Sequence, residues 1–482
     1  MARLAIIDIG SNSSTMAVYE GSCEHGVNRV YGHGEPLRLI RQLRPDKTFP
    51  TAAIDRTVEV MRLFRQRALA NGAEHIEAVA TSAVRDAKNQ DELLGRIRTE
   101  AGVAVRVIDG EHEGVAAEVS AVNSLPIQDG FVVDMGGGSA QIAHVVTRRA
   151  RQVVSLPLGA LRLTDRFFTQ DPPSPESVTD FRRHVQDLLA PLGWFTSTGG
   201  TLVAVGGSVR ALGKIDRRDR ALRAGSRAEN YVTHGHGYGL SLDGIEAIWE
   251  RASRVPADAR RDIPGLGAER VDTIAAAALF FFLLLRFGGF GQARLSAFGV
   301  REGIAMRWLA SQQGDDCSLT AVQDALVPDV RRGGLWTRFA PRDPERCRAA
   351  ARRATVLADA LRVEEGRHAL MAATHVASSG VRLEAGVAAL LDAPLPGFWH
   401  EDVMDVVDIL DAGVPRHMAS IRRDRLRVLM EVALASDPGG GPEPTVRVGD
   451  EGITVSGPPL APGLAGRFSQ AWGRRLLQPG GE

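Results

Sequence analysis

Two aspartates stand at the ends of apolar runs, each followed by a turn of almost no side-chain bulk. The first lies in LAIIDIGSNSSTMAV, where Asp8 precedes Gly10, Ser11, Asn12 and Ser13. The second lies in FVVDMGGGSAQIAHV, where Asp134 precedes Gly136, Gly137, Gly138 and Ser139. The stretches correspond residue by residue: 134 minus 8 and 139 minus 13 both give 126. A small-residue turn leaves backbone N–H groups free to converge on an anion, and nothing bulky blocks the anion's approach. A carboxylate at the edge of such a turn repels a phosphate but holds a divalent cation, which in turn neutralises the phosphate. One Gly/Ser turn would be an ordinary hairpin. The repeated pair, each with its aspartate, points to a phosphate gripped from two sides.

The elements that must position these turns are strands. The runs on either side are β-branched and apolar, and each segment reads as a hairpin. Two such hairpins far apart in the chain imply a duplicated α/β domain. Residues 1–120 alternate strand and helix patterns, with AIDRTVEVMRLFRQRALANGA helical and IEAVATSAVR a strand running into a turn. The scheme repeats to about residue 305. It includes TLVAVGGSVRALG, a strand, a glycine turn at Gly206, Gly207 and Ser208, and a helix start. That stretch is not a P-loop, because the first required glycine falls on Ser208 and Ile215 follows Lys214. Beyond about Gln313 strand patterns nearly vanish and helical runs follow. DPGGGPEP (437–444) reads as a linker, TVRVGDEGITVSG as a short β-like tail, and the last residues as frayed.

Composition narrows the classes. A chain of 482 residues is long enough for two or three domains. With 58 basic and 58 acidic residues the net charge is zero, so neither a nucleic acid nor a membrane is an expected partner. Nearly all the positive charge is arginine, which follows genome composition but makes local anion contacts forked and bidentate. Cys23, Cys317 and Cys347 show neither metal spacing nor a disulfide framework. With no leader pattern before the first strand, the cytoplasm is the expected compartment. IAAAALFFFLLL is too short to span a bilayer, which takes roughly 20 residues, and reads as a buried core helix.

The stretches DIGSNSS, AVATSAVRDA, IDGEHEG, VVDMGGGSAQ, SLPLGALRL, AVGGSVRAL, IPGLGAERVDTI and FGVREGI occur in this order over about the first 305 residues. In this the chain resembles the exopolyphosphatase and guanosine pentaphosphate phosphohydrolase family, within the actin, sugar kinase and heat-shock-70 fold superfamily. The resemblance implies two ribonuclease H-like (actin-like ATPase) domains, 1–125 and 126–312, with a cleft between them. A mainly α-helical HD-like domain at 313–440 and a β-like tail at 441–482 would follow. It implies Mg2+-dependent hydrolysis of a terminal phosphate, from linear polyphosphate or from the 5′ end of pppGpp. In the family a glutamate in a Gly-x-x-Glu-Ala motif activates the attacking water, and Glu113 falls on that position. Arg85 of TSAVRDA falls on a motif arginine suited to hold a phosphate oxygen. Arg270 and Arg301 are weaker candidates, each with an acid close by, Asp272 and Glu302, to form a structural ion pair.

The chain departs from the family pattern in three places. Gln141 stands where the family has a cation-holding glutamate, and an amide oxygen can ligate Mg2+ but brings no charge. Gly114 and Val115 replace alanine and arginine after Glu113. In LMAATHVASSG, His375 is followed by Val376 rather than aspartate, so the HD-like domain is expected to lack a metal centre and to serve as a substrate-channel or dimer module. The expected site therefore has Glu113 as base and Asp134, Asp8 and Gln141 around the cation. The phosphate turns are residues 10–13 and 136–139, with Gly206, Gly207 and Ser208 on the second domain's side. The expected activity is exopolyphosphatase. The rivals are a pppGpp phosphohydrolase and, because of Gln141, a non-catalytic polyphosphate or alarmone sensor. A homodimer is the expected assembly.

Overall fold

The computed structural model describes residues 3–22, 26–223, 234–312, 343–363, 365–392, 397–411, 420–436, 445–448, 452–456, 458–460 and 462–477. The boundaries expected at 313 and 441, the linker 437–444 and the end beyond 477 lie outside the described residues. The chain divides into two units, Met1–Ala228 with Gly235–Val330, and Glu229–His234 with Arg331–Glu482.

The first unit contains the same sheet topology twice. Strands β1 (Arg3–Ile9), β2 (Ser14–Ser22) and β3 (Gly26–Glu35) are antiparallel, and β4 (His75–Ala80) and β5 (Val105–Val107) add in parallel beside β1, in the order β3-β2-β1-β4-β5. The second sheet is built from β6 (Gly130–Met135), β7 (Ala140–Val146), β8 (Arg149–Leu156), β9 (Thr201–Val205), β10 (Gly239–Ser241) and β11 (Gln292–Leu295), in the order β10-β11-β9-β6-β7-β8. Here β6 to β8 are antiparallel, β9 and β11 add in parallel, and β10 closes the edge antiparallel. The central strands β1 and β6 are nearly continuous apolar runs because helices cover the sheets.

The helices follow from their periodicity. Thr51–Ala70 buries Ile54, Val58, Met61, Phe64 and Ala68 along one stripe, and Gly72 follows in the left-handed region at φ 77°. Ile274–Gly288 is apolar on every side, and Ile274 to Leu285 are all buried in the core of the second sheet's half. Gly289, at φ 74°, stops it. Among the described residues no helix is long and apolar enough to cross a membrane.

The second unit packs the helices Pro344–Ala360, Arg367–Ser378, Leu383–Asp392, His400–Leu410 and Ser420–Ala435 around a core that includes Leu370, Val406 and Leu429. His375 is buried on its helix. The tail holds more than strands. Its sheet, β12 (Val446–Val448), β13 (Gly452–Val455) and β14 (Arg475–Leu477), is joined by a helix, Pro462–Trp472. Leu464 and Phe468, four residues apart on that helix, are buried in the same core as Ile453 of β13.

Candidate active site

Each aspartate sits at the carboxyl end of a central strand, where open α/β sheets place their ligands. Asp8 pairs with Thr15 of β2 and Val79 of β4, and Asp134 with Gln141 of β7 and Val205 of β9. The turns that follow approach each other closely. A Cβ on Gly137 would lie 3.0 Å from the Asn12 backbone nitrogen, and one on Gly138 would lie 2.4 Å from Ser82 Oγ. The Ser11 hydroxyl bonds Ser82 Oγ at 2.7 Å and accepts from the Ala83 N–H at 3.1 Å, which anchors the first turn. Gly206 is at φ 107°, and a Cβ there would stand 2.9 Å from Asp134 Oδ1. Arg162 donates to Gly138 O at 2.7 Å and pairs with Asp86 at 2.6 Å, tying the second turn to the first sheet's half.

Between the turns lies a cleft of about 160 Å3. Its acids are Asp8, Asp134, Glu113 and Glu302. Burial pushes Asp8 up to about 6 against the pull of Arg301, and Asp134 up to about 6 against the pull of Arg210. Glu113 rises to about 8, first through burial and then through the charges of Asp134 and Asp8, with Arg85 opposing. Glu113 is carried on the helix Gly110–Val122, capped by Asp109, whose carboxylate accepts from the His112 N–H. His112 itself is exposed and bonded to that cap.

Three arginines, Arg210, Arg270 and Arg301, also line the cleft. The acids beside two of them in sequence are engaged elsewhere. Asp272 Oδ2 accepts from Arg38 at 2.8 Å and Arg41 at 2.6 Å. Glu302 accepts from the Tyr19 hydroxyl and from the Gly299 N–H. Among the described residues Arg270 donates to Ser208 Oγ at 3.4 Å and Arg210 to Ala297 O at 3.5 Å. Among the described residues none of the three has a carboxylate within ion-pair distance. Burial lowers Arg210 and Arg270, the mark of cations held with little compensation.

Of the residues expected from sequence, the cleft brings together Asp8, Gly10, Ser11, Asn12 and Ser13 with Glu113, Asp134, Gly136, Gly137, Ser139, Gly206 and Gly207. Gly138, Gln141, Ser208 and Arg85 do not line it. Gly138 packs against Ser82 and Ser11, and Ser208 sits behind Arg270. Arg85 donates to Ile108 O at 2.7 Å and stands 3.6 Å from Glu113 Oε2. Thr15, Thr81, Ser82 and Arg210 line the cleft without having been singled out. Arg210 had a signal: SVR at 208–210 repeats the AVR that ends at Arg85.

The model of the Ppx/GppA phosphatase family matches residues 20–312, more than half of the 482. This chain belongs to the Ppx/GppA phosphatase family. Membership supports a hydrolase acting on phosphoanhydride bonds. Exopolyphosphatase 1 of Mycobacterium leprae is 27% identical over 336 residues, which cover 68% of this chain and 96% of that one. The crystal structure of the Aquifex aeolicus Ppx/GppA family member is 26% identical with a TM-score of 0.56, covering 65% of this chain and 99% of that one. An exopolyphosphatase structure from Cytophaga hutchinsonii, 22% identical with a TM-score of 0.57 over 66% of this chain and 99% of that one, shares the fold.

The donors of this Ppx/GppA cleft suit a hard divalent cation. Among the described residues Asp8 Oδ1 and Gln141 Oε1 are buried without a hydrogen-bond partner, and Gly206 keeps the space beside Asp134 Oδ1 clear. Among the described residues no three His, Cys, Asp or Glu side chains converge into a protein cage. Mg2+ needs none, since one or two carboxylates, water and substrate phosphates complete its shell.

Proposed function

We propose that this chain is an exopolyphosphatase, removing the terminal phosphate from linear inorganic polyphosphate. What carries the reading is one cleft that holds a buried acid, Glu113, two facing small-residue turns and three arginines. Of these, Arg301 is balanced by the nearby charges of Glu302 and Asp8, while Arg210 and Arg270 have no carboxylate within ion-pair distance among the described residues. The terminal phosphate sits between residues 10–13 and 136–139, where backbone N–H groups meet its oxygens. Arg210, Arg270 and Arg301 hold the phosphate oxygens in the bound substrate and keep their charge neutralised as the bond loosens. Glu113 takes a proton from water as the water oxygen bonds to phosphorus. The bridging P–O bond breaks, and its electron pair leaves with the shortened chain. Asp8 and Asp134 would hold a Mg2+, whose charge would offset that of substrate and leaving group. Arg85 favours the ionised form of Glu113, the form a base needs.

The strand order, three antiparallel strands and then parallel ones, supports two ribonuclease H-like halves divided near residue 125, ahead of a helical HD-like region and tail. A cytoplasmic homodimer completes the reading, and light scattering tests the assembly. The deciding experiment is phosphate release from long-chain polyphosphate and from pppGpp, side by side, with and without Mg2+. Release from polyphosphate that needs Mg2+ is the expected result. Release from pppGpp alone makes the chain a pppGpp phosphohydrolase. Binding without release at any Mg2+ level makes it a sensor.

A further inference from the structure

The helix Gly110–Val122 meets β7 and β8 along a seam of two glycines, one helical turn apart. A Cβ on Gly110 would stand 2.2 Å from Ser155 Cβ. One on Gly114 would stand 2.5 Å from Val153 Cγ1 and 3.2 Å from Gln141 Cβ. Without those side chains the helix lies directly on the strands, and Glu113 comes within reach of Gln141. The Gln141 amide is buried, 1% exposed. Its Nε2 points at Glu113 Oε2 at 3.2 Å, Ser139 Oγ at 2.9 Å and Ser155 Oγ at 2.9 Å. An amide nitrogen carries two hydrogens, and the two hydroxyls can rotate to accept or to yield. The Arg85 guanidinium also approaches Oε2, so Oε1 of Glu113 is the oxygen left to meet a water.

We propose that Gln141 acts on Glu113 through its Nε2 as a positioning residue, together with Gly114, rather than on the cation through its Oε1, which is buried without a hydrogen-bond partner among the described residues. The inference rests on the reading of Glu113 as the base. A glutamate at 141 could not do this while ionised, because it accepts and does not donate, and two carboxylates so close repel. Gly114 lets the helix lie close against β7, where the Gln141 amide can donate to Glu113. An alanine at 114 would push the helix off Val153 and Gln141 and draw Glu113 away.

The test uses the full chain with Glu113→Gln, Gln141→Leu, Gln141→Glu, Gly114→Ala and Gly114→Ala/Val153→Ala. Polyphosphate kcat and KM are read beside the thermal shift produced by Mg2+ alone. Gln141→Leu and Gly114→Ala should each lower kcat by about 10-fold with KM changed by less than about 2-fold, the pattern of a group that acts on the chemical step. Val153→Ala should restore most of the loss in the double variant. The Mg2+ shift should match wild type in all four variants outside Glu113. If Gln141→Leu does not fold, Gln141→Glu, nearly the same shape, carries the test with the same expectation. A weakened Mg2+ shift in Gln141→Leu, or a strengthened one in Gln141→Glu, makes residue 141 a ligand and overturns the proposal. An inactive Glu113→Gln beside a fully active Gln141→Leu overturns this inference alone. An active Glu113→Gln removes the base reading and the inference with it.

Discussion

Arg85 and Arg210 occupy matching places in the two halves of the first unit. β4 ends at Ala80 and β9 at Val205, and each arginine is the fifth residue beyond its strand. Arg85 turns to Ile108 O and Glu113, while Arg210 lines the cleft and acts on Asp134. The residues opposite the aspartates differ in the same way. Thr15 faces Asp8 and lines the cleft, whereas Gln141 faces Asp134 and turns to Glu113. A phosphate has two sides to be held, so a repeated turn suits it. Its in-line attack comes from one side only, so the chemistry must break the repeat. The asymmetric residues are the ones around Glu113.

The comparison breaks most severely at that residue. Glu113→Gln should cut turnover by about 10²–10⁴, the usual cost of a lost general base, while polyphosphate binding measured by calorimetry persists. Retained turnover would move the base elsewhere. The arginine pair sharpens the contrast. Arg210→Ala should raise KM for polyphosphate by about 10- to 100-fold, since a hydrogen bond to a charged group contributes about 1.5–3 kcal/mol. Arg85→Ala should instead lower kcat, because it removes the cation beside Glu113. Equal KM effects from the two would mean that the arginines are functional twins and that the asymmetry drawn here is wrong.

Local features of this cleft were legible in the sequence. The turns at residues 10–13 and 136–139 are, because a small-residue turn between two apolar strands is written in adjacent residues. Glu113 was not legible from residue types alone. An acid on a helix is ordinarily solvated, and this one is buried only because Gly110 and Gly114 seat its helix on β7 and β8. Arg270 and Arg301 read as partners of Asp272 and Glu302, which are close in sequence. The hydrogen-bond partners of those acids include Arg38, Arg41 and Tyr19, from more than two hundred residues away, although Arg301 still lowers Glu302 through its charge. The tail helix Pro462–Trp472 escaped for a similar reason. Gly463 and Gly466 weaken its intrinsic preference, and the burial of Leu464 and Phe468 overrides it.

The two aspartates offer a gentler break. Asp8→Ala and Asp134→Ala should each raise the Mg2+ concentration needed for half-maximal phosphate release. The Asp134 change should be at least as large, because each aspartate has an arginine as electrostatic neighbour, Arg301 for Asp8 and Arg210 for Asp134, but Asp134 has space kept clear beside it by Gly206. An unchanged Mg2+ midpoint in both variants would place the cation away from the strand ends.

The smallest effect is on stability, and it tests all three acids together. Asp8 and Asp134 titrate near 6, and Glu113 near 8, each above its ordinary value. A folded-state value raised in this way favours the protonated, folded form. The stability it contributes is complete below the ordinary carboxylate range and is lost as pH rises through about 6 and then about 8. Above those values Asp8, Asp134 and Glu113 are all ionised in a cleft that also holds the ionised Glu302, with the three arginines as the counter-charge. A divalent cation binds that ionised form and competes with the protons of the other. Metal-free protein should therefore lose melting temperature between pH 5 and 9, and Mg2+ should restore more of it at the alkaline end than at the acid end. At a cation concentration of about 100 times Kd the restoration is about 2.7 kcal/mol. Melting curves with EDTA and with Mg2+ across that range decide the matter. An Mg2+ shift that stays the same from pH 5 to 9 would mean that the cation binds away from these three carboxylates. Repeating the curves with Asp8→Asn and with Asp134→Asn returns to the comparison of the halves, because the variant that loses more of the alkaline Mg2+ shift identifies the half that holds the cation.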